Sequence, residues 1–356
     1  MDTFRREIEE LILKAAEQGA SDLHIATGHY PTVRVDGRLV PLSGTQLVDP
    51  GRAEGLSFAL LDEEKKSRFI KEKELDFGHT FQDKIRLRGN VYYQKSFVGL
   101  ALRFIPSRIR TIEELNLPPI LHDFAKFSQG FVLVTGPTGH GKSTTLAALI
   151  DEINSTREDH IVTIEDPIEY IFTPHKAIID QREVGFDTDS FHRALKSVFR
   201  QDADVIMLGE MRDPETMATA VTAAETGHLV FATLHTNSAA QTIDRIIDSF
   251  PADQQEQIRT QLAGSLVGVI SQRLIPRLGG GMIPAVEVLR GTYGVRNLIR
   301  ENKAHQIDVM IETGQEQGMV SLNRTLAALV RKGDISLEQA EMYSLHPQDL
   351  KNLLSR

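Results

Sequence analysis

The sequence predicts an α/β protein of two domains: a small α+β domain, then a larger domain built on a parallel sheet and completed by terminal helices. Three observations support this prediction. The chain has 356 residues, more than one average domain needs. Its N-terminal part holds β-branched and aromatic runs in close succession, as antiparallel strands do. From Phe127 onward, strand-like runs alternate with helix-like runs, which is typical of a parallel sheet.

The first domain is predicted over residues 1–107 and begins with an amphipathic helix, which Gly19 ends. Apolar residues fall there at helical spacing: Phe4, Ile8, Leu11, Ile12 and Ala15. Strands are predicted at residues 21–25, 32–35, 38–40, 75–81 and 85–104. Asp36 and Gly37 indicate a two-residue hairpin turn, and residues 53–70 are predicted to be mostly helical.

The boundary between the domains is predicted in the stretch 106–119, which is rich in proline and lacks periodicity. We expect a linker over residues 108–119 and the second domain over residues 120–356. Terminal helices are predicted for residues 321–330 and from Ser336 onward, where Ser336 and Gln339 suit a capping box.

A glycine-rich loop over residues 136–144 fits the phosphate-loop pattern G-x-x-x-x-G-K-[ST], between an apolar strand and a helix. Its glycines allow backbone N–H groups to reach a phosphate, and the helix N-terminus favours negative charge. Lys142 would reach the β- and γ-phosphates of ATP, and the Ser143 hydroxyl would bind Mg²⁺. The residues expected to contact the nucleotide are Gly136, Pro137, Thr138, Gly139, His140, Gly141, Lys142, Ser143 and Thr144. His140 stands at a variable position, where we favour no specific role.

The composition excludes several classes of function. The net charge of −9 argues against a general nucleic-acid coat, and we expect no nucleic-acid partner. The absence of cysteine excludes disulfides and cysteine-ligated zinc. No apolar run is long enough to span a bilayer, and we expect no signal peptide. The lack of cysteine is compatible with a reducing cytoplasm.

Three later strands each end in a candidate catalytic group, at the sheet edge where α/β proteins bind ligands. Glu210 follows the apolar run 204–208, where a carboxylate that organises Mg²⁺ or water is expected. His235 follows the run 229–234 and suits a γ-phosphate contact. The acidic residues Glu165, Asp166 and Glu169 follow the run 160–164. His228 is separated from His235 by roughly 23 Å in an extended strand, so we interpret it as structural or interfacial.

Four motifs occur together in one order: the loop at 136–144, Thr163-Ile-Glu-Asp-Pro-Ile-Glu169, Gly209-Glu-Met-Arg-Asp213, and a histidine box over 222–235. With this combination the chain resembles the type II/type IV secretion ATPase superfamily, and within it the retraction ATPases of type IV pili. The length leaves no room for the additional N-terminal domain of the assembly and secretion ATPases, and the absence of cysteine rules out their tetracysteine zinc motif. Residues 294–301 resemble the retraction signature Ala-Ile-Arg-Asn-Leu-Ile-Arg-Glu, with Gly294 and Val295 as departures.

The resemblance implies a PAS-like N-terminal domain joined flexibly to a RecA-like P-loop ATPase domain, and a homo-oligomer, a hexameric ring that binds ATP between subunits. It implies Glu169 as the base or water-positioning carboxylate, Glu210 as an atypical Walker B acid that helps Ser143 to hold Mg²⁺, and His235 as the γ-phosphate contact.

The arginines of the first domain are a further expectation. The motif segments of the ATPase domain hold no arginine obviously placed to stabilise charge on a transferring phosphoryl group. The resemblance implies that arginines come instead from a neighbouring subunit, from strands where Arg86, Arg88 and Arg103 lie. Arg86 and Arg88 are two residues apart and would share a strand face. A solvated basic face is the alternative.

Together these features predict an ATP-hydrolysing motor that drives pilus retraction, with Mg²⁺, at the cytoplasmic face of the inner membrane. The expected partners are an inner-membrane pilus platform protein and a paralogous retraction ATPase. The alternatives are an accessory retraction ATPase, a pilus assembly or secretion ATPase, and a nucleotide-gated scaffold without turnover. Residues 294–301 would transmit motion: Val295, Leu298 and Ile299 form one apolar stripe, which leaves Arg296, Asn297 and Arg300 for a partner.

Overall fold

The computed structural model describes residues 2–35, 37–81, 85–105 and 108–355 of the chain. These residues form two compact units. The first comprises Met1–Arg108 together with Pro167–Ile171, and the second comprises Ile109–Asp166 and Phe172–Arg356. Among the described residues, no helix combines the length and the apolar character that crossing a membrane would require.

The first unit is built on an antiparallel sheet with the strand order β3-β2-β1-β6-β5-β4. Its strands are β1 (Asp22–Ala26), β2 (Thr32–Val35), β3 (Arg38–Pro41), β4 (Glu74–Phe81), β5 (Ile85–Gln94) and β6 (Phe97–Ile105). Its helices are α1 (Asp2–Glu17), α2 (Pro50–Phe58) and α3 (Glu63–Glu72). The predicted apolar stripe of α1 is confirmed, because Ile8, Leu11, Ile12 and Ala15 are buried. The hairpin's turn residue Asp36 lies outside the described residues.

The second unit is built on a sheet with the strand order β13-β12-β7-β11-β10-β8-β9. Its strands are β7 (Gly130–Thr135), β8 (His160–Glu165), β9 (Ile178–Glu183), β10 (Val205–Leu208), β11 (Leu229–Leu234), β12 (Leu266–Pro276) and β13 (Met282–Arg290). Neighbouring strands from β12 to β9 are parallel, and β13 is antiparallel to β12. Strands β7, β10 and β11 are fully buried, as continuous apolar runs in a parallel sheet should be.

Helices cover both faces and the end of this sheet. They are α4 (Leu121–Ala125), α5 (Lys142–Thr156), α6 (Phe191–Val198), α7 (Pro214–Glu225), α8 (Ala239–Asp248), α9 (Ala252–Ser265), α10 (Tyr293–Arg300), α11 (Ile307–Thr313), α12 (Leu322–Lys332), α13 (Leu337–Tyr343) and α14 (Pro347–Leu354). Ser336 and Gln339 form the predicted capping box at the start of α13. The architecture confirms the predicted α/β class with a parallel-sheet domain after an antiparallel one.

The segment that the sequence predicts to be a linker is packed within the second unit from residue 109 onward. Ile112, Leu115 and Leu117 are buried there. Two positions of the predicted boundary, Pro106 and Ser107, lie outside the described residues.

Candidate functional site

The glycine-rich loop connects β7 to α5 and runs close against β12. Ser271 of β12 stands opposite Thr135, so Gln272 lies beside Gly136. A Cβ atom on Gly136 would come within 2.2 Å of the Gln272 carbonyl oxygen, and the φ of Gly136 is +145°. Only glycine fits this position, because any side chain would collide with the backbone of β12.

Lys142 is held inside the loop that it follows. Its side chain is buried, and Nζ donates to the carbonyl oxygens of Gly136, at 2.9 Å, and Pro137, at 3.0 Å. Ser143 and Thr144 follow it in the first turn of α5. The ammonium group therefore lies within the curve of the loop, where the backbone N–H groups and the helix N-terminus also favour an anion.

His235 joins the phosphate loop to the end of β10. Its Nδ1 lies 3.3 Å from Lys142 Nζ and 3.3 Å from Thr138 Oγ1, and its Nε2 lies 3.3 Å from Glu210 Oε2. An ammonium group can only donate, so Nδ1 accepts from Lys142 and the ring proton sits on Nε2, directed at the carboxylate. The structure thus brings together Lys142, His235 and Glu210, which the sequence placed on three separate segments.

Glu210 also contacts an arginine, Arg212, through an ion pair. Burial by itself raises the pKa of Glu210, but hydrogen bonds and charge from Arg212 and then His235 outweigh it and hold the pKa below the ordinary value. Glu210 is therefore a carboxylate at neutral pH. The sequence reasoning did not single out Arg212: it belongs to the quoted motif 209–213, and the fold after β10 turns its guanidinium onto Glu210.

A second group of side chains clamps the loop from β12. The Gln272 amide accepts from Thr145 Oγ1 at 2.6 Å and donates to the His140 carbonyl oxygen at 2.8 Å. The His140 ring is anchored as well, because the backbone N–H of Leu274 donates to Nδ1 at 2.9 Å. Burial, then the charges of Arg273 and Lys142, lower the pKa of His140, which suits a neutral acceptor ring. His140 thus has a structural role that the sequence did not predict.

The acidic run after β8 is divided between the two units. Glu165 is buried in the second unit, where its Oε1 accepts from Thr163 Oγ1 at 2.7 Å and from Gln181 Nε2 at 3.2 Å. Asp166 also belongs to the second unit, whereas Glu169 lies in Pro167–Ile171 of the first. Glu165 is thus held as a hydrogen-bond acceptor in the sheet.

The arginines of the first unit lie on the sheet face opposite its core. Arg88 of β5 stands directly across from Arg103 of β6, while Leu87 between the two arginines of β5 is buried. The shared face that the spacing of Arg86 and Arg88 predicts is thus confirmed. Arg103 Nε donates to Asp22 Oδ1 at 2.9 Å, so this guanidinium already has a carboxylate partner.

Two further predicted residues have local partners. His228 Nδ1 lies 3.1 Å from the Ala223 carbonyl oxygen, and its ring meets Phe199 edge-on at 5.5 Å, which agrees with a structural role. In α10, Val295 and Ile299 are buried as predicted. Arg296, however, is not left for a partner, because its Nη2 donates to the Leu266 carbonyl oxygen at 3.0 Å.

Asn297 is engaged in a similar way, since its amide donates to Glu301 Oε1 at 2.7 Å. The expectation that Arg296 is free for a partner was therefore wrong, because helical spacing shows which side chains avoid the core but not which neighbours they reach. For Asn297, whose contact is an exposed one with a residue four positions on, the expectation stays a prediction.

A small cavity of about 110 Å³ opens beside the loop, wholly within the second unit. Its walls include Arg110 and Asn116 from the predicted linker, Thr144 from α5, and Gln272 and Leu274 from β12. Its walls combine apolar and polar groups, as small-molecule sites do.

Comparison with known proteins gives a consistent result. Residues 113–288 match the family model described as Type II/IV secretion system protein. The chain is 45% identical to the type IV pilus "retractation" ATPase PilT of Pseudomonas aeruginosa, over 96% of this chain and 99% of that protein. It is 40% identical to the type IV pilus ATPase PilU of the same organism, over 98% of this chain and 91% of that protein.

Among solved structures, the pilus retraction motor PilT with bound ADP is similar over the whole fold. The TM-score is 0.91 at 45% identity, covering 97% of this chain and 98% of that chain. The similarity therefore spans both units and not the ATPase segments alone.

Proposed function

The chain belongs to the type II/IV secretion system protein family, and from this premise we propose that it is an ATPase that powers the retraction of type IV pili. The observation that carries the proposal is the similarity to PilT, a retraction ATPase, along 96% of the chain. The contacts that join Lys142, His235 and Glu210 supply the chemistry that such a motor needs.

The chemistry begins with phosphate binding. Lys142 is already confined to the loop by two carbonyl oxygens, so it exchanges these for the β- and γ-phosphates of ATP with little reorganisation. The Ser143 hydroxyl and the Glu210 carboxylate are oxygen ligands of the kind that Mg²⁺ prefers, and the lowered pKa of Glu210 keeps it charged. Mg²⁺, when bound, neutralises charge that develops on the transferring group.

His235 would report on the γ-phosphate. Its Nδ1 faces the loop through Lys142 and Thr138, and its Nε2 faces Glu210, so one ring contacts both the nucleotide side and the carboxylate side of the site. Gain or loss of the γ-phosphate next to Lys142 would therefore change the position of His235. We assign Glu169, by family resemblance, the role of the base that orients the attacking water.

The cavity of about 110 Å³ next to Thr144 and Gln272 would hold the base of the nucleotide. Its walls include Gly141 and Thr144, so the cavity adjoins the phosphate loop, which supports this assignment.

The active site would be completed across a homo-oligomeric interface, in a hexameric ring. Arg88 and Arg103 stand side by side on the sheet face opposite the core of the first unit and would stabilise the transferring phosphoryl group of a neighbouring subunit. Such an arginine supplied in trans is worth roughly 10³–10⁵ in rate. Arg212 is a candidate for the same task in cis, but its ion pair with Glu210 supports a role in holding that carboxylate.

An accessory retraction ATPase is the second candidate, since PilU is 40% identical over 98% of the chain. In either role the chain would act at the cytoplasmic face of the inner membrane, on a pilus platform protein and together with a paralogous ATPase. Deleting the gene tests whether the chain drives the retraction or the assembly of pili. Excess surface pili that do not retract support the retraction motor, retained retraction supports the accessory role, and loss of pili would refute both.

The enzyme itself is tested with purified variants. Lys142→Ala should abolish phosphate release from ATP, while Lys332→Ala, an exposed lysine of the same unit, should leave it unchanged. Arg88→Ala should bind ATP and hydrolyse little of it. Mixing Arg88→Ala with Lys142→Ala chains should restore part of the activity, because some interfaces then join an intact arginine to an intact loop. If subunits exchange and no mixture regains activity, the trans assignment fails.

A further inference from the structure

Strands β12 and β13 form an antiparallel pair at the end of the ATPase sheet, and they contact more than the phosphate loop. Ser271 and Glu287 stand opposite each other in this pair. The Ser271 side chain reaches Asn237 in the connection 236–238, which follows His235, and the Glu287 side chain reaches Ala239, the first residue of α8. We propose that Glu287 is a positioning residue: as a carboxylate it fixes the start of α8, and through it His235, in the geometry that ATP hydrolysis requires. This inference rests on the proposed ATPase function.

The contact of Glu287 is buried and specific. Its Oε1 accepts from the backbone N–H of Ala239, the first residue of α8, at 2.8 Å, and the residue is 7% exposed. This N–H is one of those at a helix start that lack a partner within the helix. The positive end of the helix dipole favours a carboxylate over a carboxylic acid at this point. Glu287 therefore binds α8 most strongly when it is ionised.

Two more hydrogen bonds connect this anchor to His235. Ser271 Oγ donates to the Asn237 carbonyl oxygen at 3.1 Å, and the hydroxyls of Thr236 and Thr242 lie 2.6 Å apart. Thr236 follows His235 directly, and Thr242 lies in the first turn of α8. A shift at the start of α8 is thus passed to Thr236 and to the ring beside Lys142, since a short connection fixed at both ends cannot absorb it.

The charges around Glu287 make its ionisation sensitive to pH. Those that face it are Arg273 on β12 and Asp308 and Glu312 on α11. Arg324 on α12 neutralises Glu312 through an ion pair. No ion pair joins Glu287 to Arg273 within the part of the chain that the structure describes. Burial, opposed by the Ala239 hydrogen bond, raises the pKa of Glu287 to about 7, so its charge changes in the range where cells operate.

The test compares the pH dependence of turnover in the full chain and in Glu287→Gln. Glutamine keeps the size and an acceptor oxygen for Ala239 but cannot ionise. With a pKa of about 7, the ionised fraction rises roughly tenfold between pH 6 and pH 8. Between pH 6 and pH 8 we expect kcat of the natural chain to rise by up to this tenfold factor. The kcat of Glu287→Gln should rise by less than half as much over the same range. ATP affinity should stay within about twofold, because the phosphate loop is unchanged. Glu316→Gln, an exposed glutamate of the same unit, controls for loss of one negative charge.

Hydrogen exchange detects the contact between Glu287 and the Ala239 amide without measuring turnover. The Ala239 amide should be protected above pH 7 in the natural chain, after correction for intrinsic exchange rates, and lose about tenfold of that protection at pH 6. In Glu287→Gln its protection should not vary with pH. The inference is overturned if Glu287→Gln, Glu316→Gln and the natural chain all show the same pH dependence of kcat and the same pH dependence of Ala239 exchange. If the natural chain hydrolyses no ATP while Ala239 exchange changes as expected, the proposed function fails and the Glu287 contact stands.

Discussion

Replacing Gln272 by leucine should loosen the phosphate loop, and the structure gives the size of the effect. The side chain is 2% exposed and makes two hydrogen bonds, one with Thr145 Oγ1 and one with the His140 carbonyl oxygen. Leucine has a similar volume but makes neither. Each lost hydrogen bond costs about 1 kcal/mol, and a carbonyl left buried without a donor costs a further ~1–3 kcal/mol. We expect a loss of about 3–5 kcal/mol in unfolding free energy.

A double-mutant cycle separates the Thr145 contact from the rest. Thr145→Val removes the hydroxyl and keeps the shape, so the single variants Thr145→Val and Gln272→Leu each break the same bond. Their effects should sum to about 1 kcal/mol more than the effect of the double variant, because the bond can be lost only once. The His140 contact contributes to Gln272→Leu alone and cancels in the cycle.

Urea denaturation followed by far-UV circular dichroism measures these energies, since the chain contains no tryptophan. The second unit holds both residues, so the transition that responds to added ATP is the one to fit. Effects that add within about 0.3–0.5 kcal/mol would refute the Thr145–Gln272 bond as an energetic contact. Unchanged ATP affinity in Gln272→Leu would refute the view that the clamp shapes the loop.

Three further predictions concern stability. The pKa of Glu287 is about 7 in the folded chain, and its ordinary value is 4.5. The unfolding free energy should therefore fall by about 3 kcal/mol as the pH rises from 4.5 to 7. Thermal melts of Glu287→Gln from pH 5 to 8 should lack this fall. A hydrogen bond with Glu152 raises the pKa of His122, so the pair stabilises the fold below pH 6.5 and stops doing so above the raised native pKa. His122→Asn should therefore melt lower than the natural chain at pH 6, by an amount worth ~1 kcal/mol, with little difference at pH 9. Gly294→Ala should stabilise α10 by ~0.5–1 kcal/mol in urea titrations, provided that the flexible end of Met310, 2.9 Å from the new methyl, moves aside.

Periodicity predicted several elements of both domains. The apolar spacing in residues 4–15 predicted α1, and the continuous apolar runs before Gly136, Gly209 and His235 predicted the buried strands β7, β10 and β11. Since parallel strands present their carboxyl ends at one edge, the same runs predicted that Glu210 and His235 would meet near the phosphate loop. Both predictions depend on local spacing and one topological rule, and both are confirmed by the contacts of His235.

The partners of these residues could not be predicted in the same way. Arg212 lay in a quoted motif, but a turn after β10 decides whether its guanidinium points to solvent or to Glu210. Gln272 stands more than a hundred residues after the loop that it clamps, without any motif around it. For Arg296, the helical position correctly indicated a place away from the core but could not show its partner. The long side chain reaches the Leu266 carbonyl oxygen.

The position of Glu287 shows why topology alone misses part of such a site. The rule for parallel sheets directs attention to strand ends, yet Glu287 lies within β13, an antiparallel strand added at the end of the sheet. It reaches α8 because α8 begins beside β12 and β13, where Ser271 and Glu287 face its first turn. A buried carboxylate costs free energy unless it is compensated, and here one backbone N–H and a helix dipole offer the compensation. The same pair of strands also holds the phosphate loop through Gln272. A movement of α8 that breaks the Ala239 bond would therefore affect both His235 and the strand pair that holds the phosphate loop, which is what coupling between hydrolysis and motion requires.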